Sequence, residues 1–273
     1  MDKSEKQPET LKYVQASRIS TAGSDSTARN EEVCVVREAP LTIDVEGIED
    51  YTILCTPLDR RALAVGFLYT EGVIDSIDDI TVLNECEDDP NTIRVRLAGD
   101  VPHIGDEGRN LMIVSSCGAC GSENLKKRIE SLPEVGNKMK IKANILRSVY
   151  EAVREKQELF NSSGGTHGAA LFNDQGEIIT FAEDTGRHNA LDKAIGKCLL
   201  GGGETTGLGI ALTSRLSLEM VSRCARPGIE IIAAVSAPTS LAIDVAQKCN
   251  ITLCAFVRKT RATIFTHRDR III

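Results

Sequence analysis

The sequence predicts an α/β protein with a mixed, mainly parallel sheet and flanking helices, preceded by a smaller α+β lobe. Strand-like and helix-like patterns alternate over the second half, which is typical of a parallel sheet covered on both faces. The first half shows strand pairs around one helix instead. With 273 residues, of which 42% are apolar, the chain is long enough for two modest domains.

The predicted small lobe spans residues 33–109 and follows the order β-β-α-β-β. "EVCVVREAPLTIDVEG" and "DYTILCTPLD" alternate as a strand pair, and two further strands flank the "DDPN" turn. Thr56 or Asp59 can cap the helix between them, which ends near Gly72. Residues 1–32 are rich in Ser, Thr, Lys and Glu, so we predict a mobile tail with no assigned function.

The predicted second lobe spans residues 110–273. A helix begins at Ser122 and a longer one ends at Gly164-Gly165. "GAALFNDQGEIITFAED" predicts a hairpin, and helices then alternate with the strands "GLGIALTS", "IEIIAAVSAP" and "ITLCAFVR". "TRATIFTH" is predicted as a last edge strand.

Composition restricts the functional class. The net charge of −7 argues against general binding to nucleic acid but leaves room for a local basic pocket. No apolar run approaches the roughly 20 residues of a membrane span, and the polar N-terminus lacks a secretory signal. We therefore expect a cytoplasmic protein with no membrane contact. The nine cysteines are an odd number and widely spaced, which favours free thiols over disulfides.

The stretch "VSSCGACGSENLKK" contains Cys117 and Cys120, the two cysteines of a C-x-x-C motif. A structural zinc ion needs four ligands, and the sequence offers no second pair at this spacing. Cys249 and Cys254 are separated by four intervening residues and lie between an apolar helix and an apolar strand, where two buried side chains are the simpler interpretation. Zinc deaminases place Pro before this motif, but Ser116 stands there. We therefore predict no metal site.

Two interpretations of the pair remain. A thioredoxin-like dithiol is supported by the helix after the motif, whose dipole lowers a thiol pKa, although the motif follows a whole lobe. A sulfur carrier is supported by Gly118 and Gly121, which suit a loop that presents a thiolate to a partner. Such a thiolate can accept the outer sulfur of a persulfide.

Polar residues gather at three further places. "SSGGTHGAALF" and "FAEDTGRHNALDKAIG" contain His167, Arg187 and His188 among several acidic side chains, at a predicted helix start that suits an anion. A structural hydrogen bond or salt bridge explains each of them equally well. "TSRLSLE" and "VSAPTSLAIDVA" follow strands, so Ser214, Arg215 and Ser236 can meet a ligand or simply cap helices.

The C-terminal stretch "FVRKTRATIFTHRDR" is locally basic in an acidic protein. We interpret it as a phosphate-binding strip, with a charged edge strand as the alternative. Its cationic side chains are Arg258, Lys259, Arg261, Arg268 and Arg270.

Eight collinear motifs between about Val33 and His267 resemble the formate dehydrogenase accessory sulfurtransferases, the FdhD family. They are "EAPLTIDVEG", "TPLDRRALAVGFLYTEGVI", "SSCGACG", "GGTHGAALF", "EDTGRHNALDK", "TSRLSLEMV", "VSAPTSLAIDVA" and "FVR". The chain departs from the family pattern at Thr185, Lys259, Thr263 and Phe265, where valine, glycine, asparagine and tyrosine are usual.

The resemblance implies a cytoplasmic sulfur carrier. Sulfur would pass from a cysteine desulfurase through a persulfide on Cys117, assisted by Cys120, to a molybdenum or tungsten bis-guanine-dinucleotide cofactor before its insertion into formate dehydrogenase. It also implies a homodimer and a cytidine-deaminase-like second lobe without zinc. The implied cofactor-binding stretch is Phe256, Val257, Arg258, Lys259, Thr260 and Arg261. A cofactor-binding chaperone that transfers no sulfur is the alternative function.

Overall fold

The computed structural model describes residues 10–21, 27–99 and 122–273. The helices of this part of the chain are α1 (Arg60–Glu71), α2 (Ser122–Ser131), α3 (Ala143–Lys156), α4 (Glu158–Ser163), α5 (Arg187–Leu200), α6 (Leu218–Ala225) and α7 (Ser240–Lys248). The strands are β1 (Leu11–Ser20), β2 (Thr27–Val36), β3 (Ala39–Val45), β4 (Glu49–Cys55), β5 (Ile80–Glu85), β6 (Thr92–Leu97), β7 (Ile141–Lys142), β8 (His167–Phe172), β9 (Ile178–Asp184), β10 (Gly209–Leu212), β11 (Ile231–Ala234), β12 (Thr252–Arg258), β13 (Arg261–Ile264) and β14 (Ile271–Ile272).

Within the segment predicted as a tail, residues 1–32, the described part contains β1 and the beginning of β2. Strands β1 and β2 pair antiparallel over their whole lengths, from Leu11 opposite Val36 to Ser20 opposite Thr27. Most of their side chains are exposed, so the composition of this segment resembles that of a tail. The cross-strand hydrogen-bond ladder is independent of side-chain hydrophobicity, which is why composition did not reveal it.

The small lobe has the predicted β-β-α-β-β order. Its four strands lie in the order β4-β3-β6-β5, and α1 packs on one face of this sheet through Leu63, Phe67 and Leu68. Gly72 ends α1 with φ of 82°, as predicted. Asp59 occupies the N-cap position, but its side chain does not cap the helix, because the carboxylate lies 2.6 Å from Nζ of Lys197.

The larger sheet has the order β13-β12-β11-β10-β8-β9. Strands β10, β11 and β12 are parallel, whereas β8, β9 and β13 each join antiparallel, so the predicted mixed sheet is confirmed. Helices α5, α6 and α7 cover one face and α3 covers the other, giving a core on each side. The cytidine-deaminase likeness implied for this lobe stays a prediction.

Two local features differ from the sequence prediction in this lobe. The long helix predicted to end at Gly164-Gly165 is two helices, α3 and α4, separated at the buried Gln157. The predicted edge strand is present as β13 but is not the last strand, because β14 pairs parallel with β7. No helix of the described residues is long and apolar enough to cross a membrane.

The two lobes meet where α1 crosses α5. A Cβ atom on Gly66 would lie 1.8 Å from the carbonyl oxygen of Asp192, and one on Gly196 would lie 1.9 Å from that of Ala62. Only a residue without a side chain allows the two backbones to approach this closely. The crossing holds α5 against the small lobe. It therefore also positions the motif "EDTGRHNALDK", which contains the start of α5.

Candidate functional site

The loops that follow β10 and β11 lie side by side at one edge of the larger sheet. Leu216 and Pro238 form a parallel bridge, with the Leu216 amide donating to the carbonyl of Ala237 at 3.0 Å. These loops carry Ser214, Arg215 and Ser236, which the sequence placed at strand ends. Ser214 is buried and donates to the Arg215 carbonyl, whereas Arg215 is exposed.

Strand β8 brings His167 to the same edge. Because β8 runs antiparallel to β10, its first residues lie beside the residues that follow β10. Gly168 and Thr213 make the connection: the Gly168 amide donates to Oγ1 of Thr213 at 2.9 Å, and the Thr213 amide donates to the Gly168 carbonyl at 3.1 Å.

The start of α5 adds two basic side chains. His188 Nε2 lies 2.9 Å from Oε2 of Glu219 in α6, and Arg187 Nη2 lies 3.9 Å from the same oxygen. Burial alone would raise the pKa of Glu219, but the neighbouring His188, Arg187 and Arg223 outweigh it and hold the pKa below its ordinary value. Glu219 therefore stays ionised and anchors the helix start that the sequence assigned to an anion.

Charged neighbours shift the pKa of His167 at this edge. Burial lowers the pKa of His167, and the charges of Arg187 and Arg215 lower it further, while Asp184 opposes them. Arg187 and Arg215 come from two further segments, and both lie near enough to His167 to lower its pKa. We call His167, Arg187, His188, Ser214, Arg215 and Ser236 the strand-edge site; it can offer hydrogen-bond donors and positive charge to an anion.

The C-terminal hairpin adjoins the strand-edge site. The Phe256 amide donates to the Ser236 carbonyl at 3.3 Å, and Arg258 donates to the carbonyls of Val235 and Val257. Phe256 adopts φ of 54°, is 39% exposed and packs against Phe265.

Beyond Arg258 the chain turns, and Lys259, Thr260 and Arg261 are exposed at the tip of the β12–β13 hairpin. Val257 is buried and faces the apolar core beneath α3. Of the six residues of the implied cofactor-binding stretch, Val257 is buried and the others are exposed; their role in cofactor binding stays a prediction.

The interpretation of Arg270 as part of a phosphate-binding strip is wrong. Its side chain is fully buried, with Nε 3.5 Å from Oε2 of Glu230 and Nη2 donating to the Gly136 carbonyl at 2.6 Å. Glu230 in turn accepts the amide of Met139 at 2.7 Å. A buried arginine paired in this way holds the C-terminus in place and is not available to a ligand.

Part of the predicted polar motif "EDTGRHNALDK" is structural. Asp184 and Lys193 pair at 2.5 Å with both side chains fully buried. Asp184 accepts the Thr56 amide at 3.0 Å, Lys193 donates to the Thr56 carbonyl at 2.9 Å, and Asn189 donates to Leu54 at 2.8 Å. These groups satisfy one another and join the two lobes.

A second buried network joins α1, α5 and α6. Arg223 donates to both carboxylate oxygens of Asp192, at 3.0 and 2.8 Å, and to Glu71. Burial raises the pKa of Asp192, while Arg223 and the hydroxyl of Thr70 act in the opposite direction. Sequence reasoning did not single out Arg223 or Glu219, because a charged residue inside an amphipathic helix is usually solvated. Arg223 is buried because residues of both α1 and α5 surround its guanidinium group.

Glu183 is also structural. Its carboxylate accepts the amides of Leu159 and Phe160, both at 2.9 Å, and the hydroxyl of Thr166 at 2.7 Å. It therefore compensates the positive N-terminus of α4 and fixes the loop that leads to His167.

Cys117 and Cys120 lie outside the described residues. Within the described ranges, no three His, Cys, Asp or Glu side chains are grouped so that they could hold a metal ion. Cys249 and Cys254 are both buried and unbonded, so the interpretation of this pair as core side chains is confirmed.

Comparisons with known proteins agree over almost the whole chain. The model of the FdhD/NarQ family matches residues 36–272. A protein named sulfur carrier protein FdhD from Saccharolobus solfataricus is 41% identical over 251 residues, which are 90% of this chain and 94% of that protein. Its namesake from Bordetella bronchiseptica is 37% identical over 241 residues, or 87% of each chain.

A solved structure gives the same result for the fold. The crystal structure of a proposed formate dehydrogenase accessory protein from Desulfotalea psychrophila has a TM-score of 0.77 to this chain at 25% identity. The match covers 96% of this chain and all of that one.

Proposed function

This chain belongs to the FdhD/NarQ family, and from this premise we propose that it is a sulfur carrier that serves formate dehydrogenase. The names of its relatives support the carrier role, and the quoted motif supplies a cysteine pair suited to it. We further propose a cysteine desulfurase as the sulfur donor, formate dehydrogenase as the protein served, and a cytoplasmic homodimer as the working form.

The proposed first step is an exchange between sulfur atoms. The Cys117 thiolate attacks the outer sulfur of the desulfurase persulfide, a new S–S bond forms on Cys117, and the desulfurase cysteine leaves as a thiolate. No external oxidant or reductant is needed, because one S–S bond replaces another. Gly118 and Gly121 next to the two cysteines allow backbone conformations that suit access by a partner.

The proposed second step delivers this sulfur to the molybdenum or tungsten bis-guanine-dinucleotide cofactor, which is a substrate here. Delivery as sulfide consumes two electrons. Cys120 can supply them, because its thiolate can attack the inner sulfur on Cys117, release hydrosulfide and leave a disulfide between the two cysteines. A thiol reductant then restores both thiols. This is the assisting role that we propose for Cys120.

One observation carries the cofactor part of the proposal: the strand-edge site collects basic and hydroxyl side chains from four segments, with the C-terminal hairpin beside them. Phosphate groups are recognised by such arginine side chains and by hydroxyl and amide donors. We propose that the cofactor's phosphates bind near Arg187, Arg215 and Arg258. Phe256 is exposed and held against Phe265, so it offers a ring for stacking on a guanine base.

The experiment that tests sulfur carriage is intact-mass analysis after incubation with a cysteine desulfurase and cysteine. We expect a gain of about 32 Da, one sulfur atom, that reductant removes. Cys117→Ala should abolish the gain, and Cys120→Ala should keep it. Cys86→Ala is the matched control, because Cys86 is a half-buried free thiol distant in sequence from the motif.

A second measurement separates the carrier from the chaperone. Cys117→Ala should fail to restore formate dehydrogenase activity in an accessory-deficient strain while still binding guanosine diphosphate as a probe of the cofactor site. Arg215→Gln should weaken binding of that probe and leave the mass gain intact. Restoration of activity by Cys117→Ala would show that the protein delivers cofactor without carrying sulfur.

A further inference from the structure

A cavity of about 570 Å³ lies at the base of the β1–β2 ribbon, where the ribbon meets the loop that leads into α1. Lys12 of β1, Arg37 and Glu38 of the β2–β3 connection, and Pro57 and Arg60 at the start of α1 line it. A volume of this size is within the range of small-molecule sites, roughly 300–1,000 Å³.

The cavity lining is cationic. Lys12, Arg37 and Arg60 outnumber one carboxylate, that of Glu38, although the whole chain has a net charge of −7. Within the part of the chain that the structure describes, these three cations form no ion pair within 4.0 Å. Among the described residues, none of the three is therefore directly paired with a carboxylate.

Both arginines are held in place by backbone acceptors. Arg37 Nε donates to the Leu11 carbonyl at 3.1 Å, and Arg60 Nη1 donates to the Pro90 carbonyl at 2.8 Å. Each guanidinium has five N–H groups, so these bonds orient the side chains and leave further donors for a ligand. Anchored arginines lose less conformational entropy when they bind an anion.

The start of α1 adds an independent argument. This helix has twelve residues, no side-chain cap and no acidic residue in its first turn, where Arg60 and Arg61 stand. Cations are unfavourable at the positive end of a helix. Asp59 at the N-cap position is the adjacent acidic residue, but its carboxylate pairs with Lys197. An anion bound beside Arg60 would remove this unfavourable arrangement.

We propose that this cavity binds a small molecule that carries phosphoryl groups. The planar N–H groups of a guanidinium match the oxygens of a phosphoryl group in geometry, and here both guanidinium groups are already oriented by backbone acceptors. The cavity is distinct from the strand-edge site, since the residues lining it belong to the small lobe and the ribbon. It therefore gives the protein a second anion site in addition to the strand-edge site.

The test is isothermal titration calorimetry of the full chain with inorganic pyrophosphate. The protein carries Arg215→Gln, which removes an exposed cation of the strand-edge site. Arg60→Gln is expected to weaken binding about tenfold, the effect of losing one charge-assisted hydrogen bond. Arg61→Gln is the matched control: Arg61 is exposed and occupies the same helical turn, but it does not line the cavity. It should change the affinity by less than about twofold.

Lys12→Gln provides a variant with little risk to folding, because the Lys12 side chain is exposed on the ribbon. It should also weaken binding. Absence of pyrophosphate binding at millimolar concentration, equal binding by Arg60→Gln and Arg61→Gln, or citrate binding as tight as that of pyrophosphate would each overturn the proposal. The sulfur mass gain on Cys117 should be unchanged in Arg60→Gln, so failure here leaves the carrier proposal intact.

Discussion

Nζ of Lys193 lies 2.5 Å from Oδ2 of Asp184, and neither side chain is exposed to solvent. The same two groups bond the backbone of Thr56 in the small lobe, one at its amide and one at its carbonyl. Removing either charge leaves the other buried without its counterion, which is more costly than the pair itself. The Asp184–Lys193 ion pair therefore stabilises the contact between the two lobes.

Lys193→Met should therefore destabilise the fold. We expect the free energy of unfolding to fall by about 3–5 kcal/mol, as for other buried pairs that lose one partner. Urea unfolding followed by circular dichroism measures it. Arg147→Gln is the control, because Arg147 forms a surface pair with Glu151 and should change stability by at most about 1 kcal/mol. Equal effects of the two substitutions would refute the structural role.

Gly196→Ala should be poorly tolerated. Its new methyl group would lie 1.9 Å from the Ala62 carbonyl oxygen of α1, and two helix backbones would have to separate. Overpacking of this kind costs about 1–3 kcal/mol. The control is Gly201→Ala, whose methyl group would meet no atom closer than 3.3 Å and should shift stability by about 0.5 kcal/mol or less. Thermal unfolding of both variants measures the loss of stability, and equal losses would contradict the close approach of the two helices.

His167 should make the protein less stable in mild acid. Because its pKa in the folded protein lies below the ordinary 6.5, the unfolded chain takes up a proton first as the pH falls. Stability is therefore unaffected above the ordinary pKa and lost progressively below it. His167→Gln should flatten this loss over about pH 7 to 5, measured by urea unfolding at each pH.

The electrostatic cause of this shift can be tested directly. Arg215→Gln should raise the pKa of His167, because Arg215 is one of the two charges that lower it. Proton NMR of the imidazole during titration reports the change, with His167→Gln assigning the signal. Arg147→Gln lies on a different helix and should leave the titration unmoved. An unchanged pKa in Arg215→Gln would place Arg215 outside the strand-edge site.

Cysteine alkylation should separate the thiols by burial. Burial raises the pKa of Cys55 to about 11 and that of Cys254 to about 12, and it raises the pKa of Cys224 as well. These three should resist iodoacetamide at pH 8, whereas the half-buried Cys34 and Cys86 should react.

Peptide mass spectrometry locates the modified cysteines. Denatured protein, in which all nine react, is the control. Alkylation of Cys224 in the folded protein at a rate like that of Cys86 would contradict its burial.

Sequence patterns predicted most of the larger lobe. The central strands β10 and β11 are short, continuous apolar runs, and the helices from α5 to α7 are longer segments that alternate with the strands. The β1–β2 ribbon was missed because its stability comes from backbone pairing rather than from a buried face. The break at Gln157 was missed because both helices share one amphipathic pattern, and only the folded protein buries that residue.

The candidate site was predicted in part. Ser214, Arg215 and Ser236 do lie at one sheet edge, as strand-end reasoning required. His167 and Arg187, which the sequence singled out near a predicted helix start, come to the same edge through β8 and α5. The roles of Asp184, Lys193 and Arg270 could not be read from the sequence, since a ligand-binding charge and a buried structural charge use the same residue types. The partners named above lie between 9 and 137 positions away, and only the tertiary fold brings them together.

The crossing of α1 and α5 restricts how this protein can change over evolution. Gly66 and Gly196 each contact the backbone of the other helix. Whether a substitution in one lobe is tolerated therefore depends on the residues of the other lobe. In a chimera of two distant relatives, the α1 of one parent would have to fit closely against the α5 of the other. Recombination between such genes should therefore succeed mainly when both helices come from the same parent.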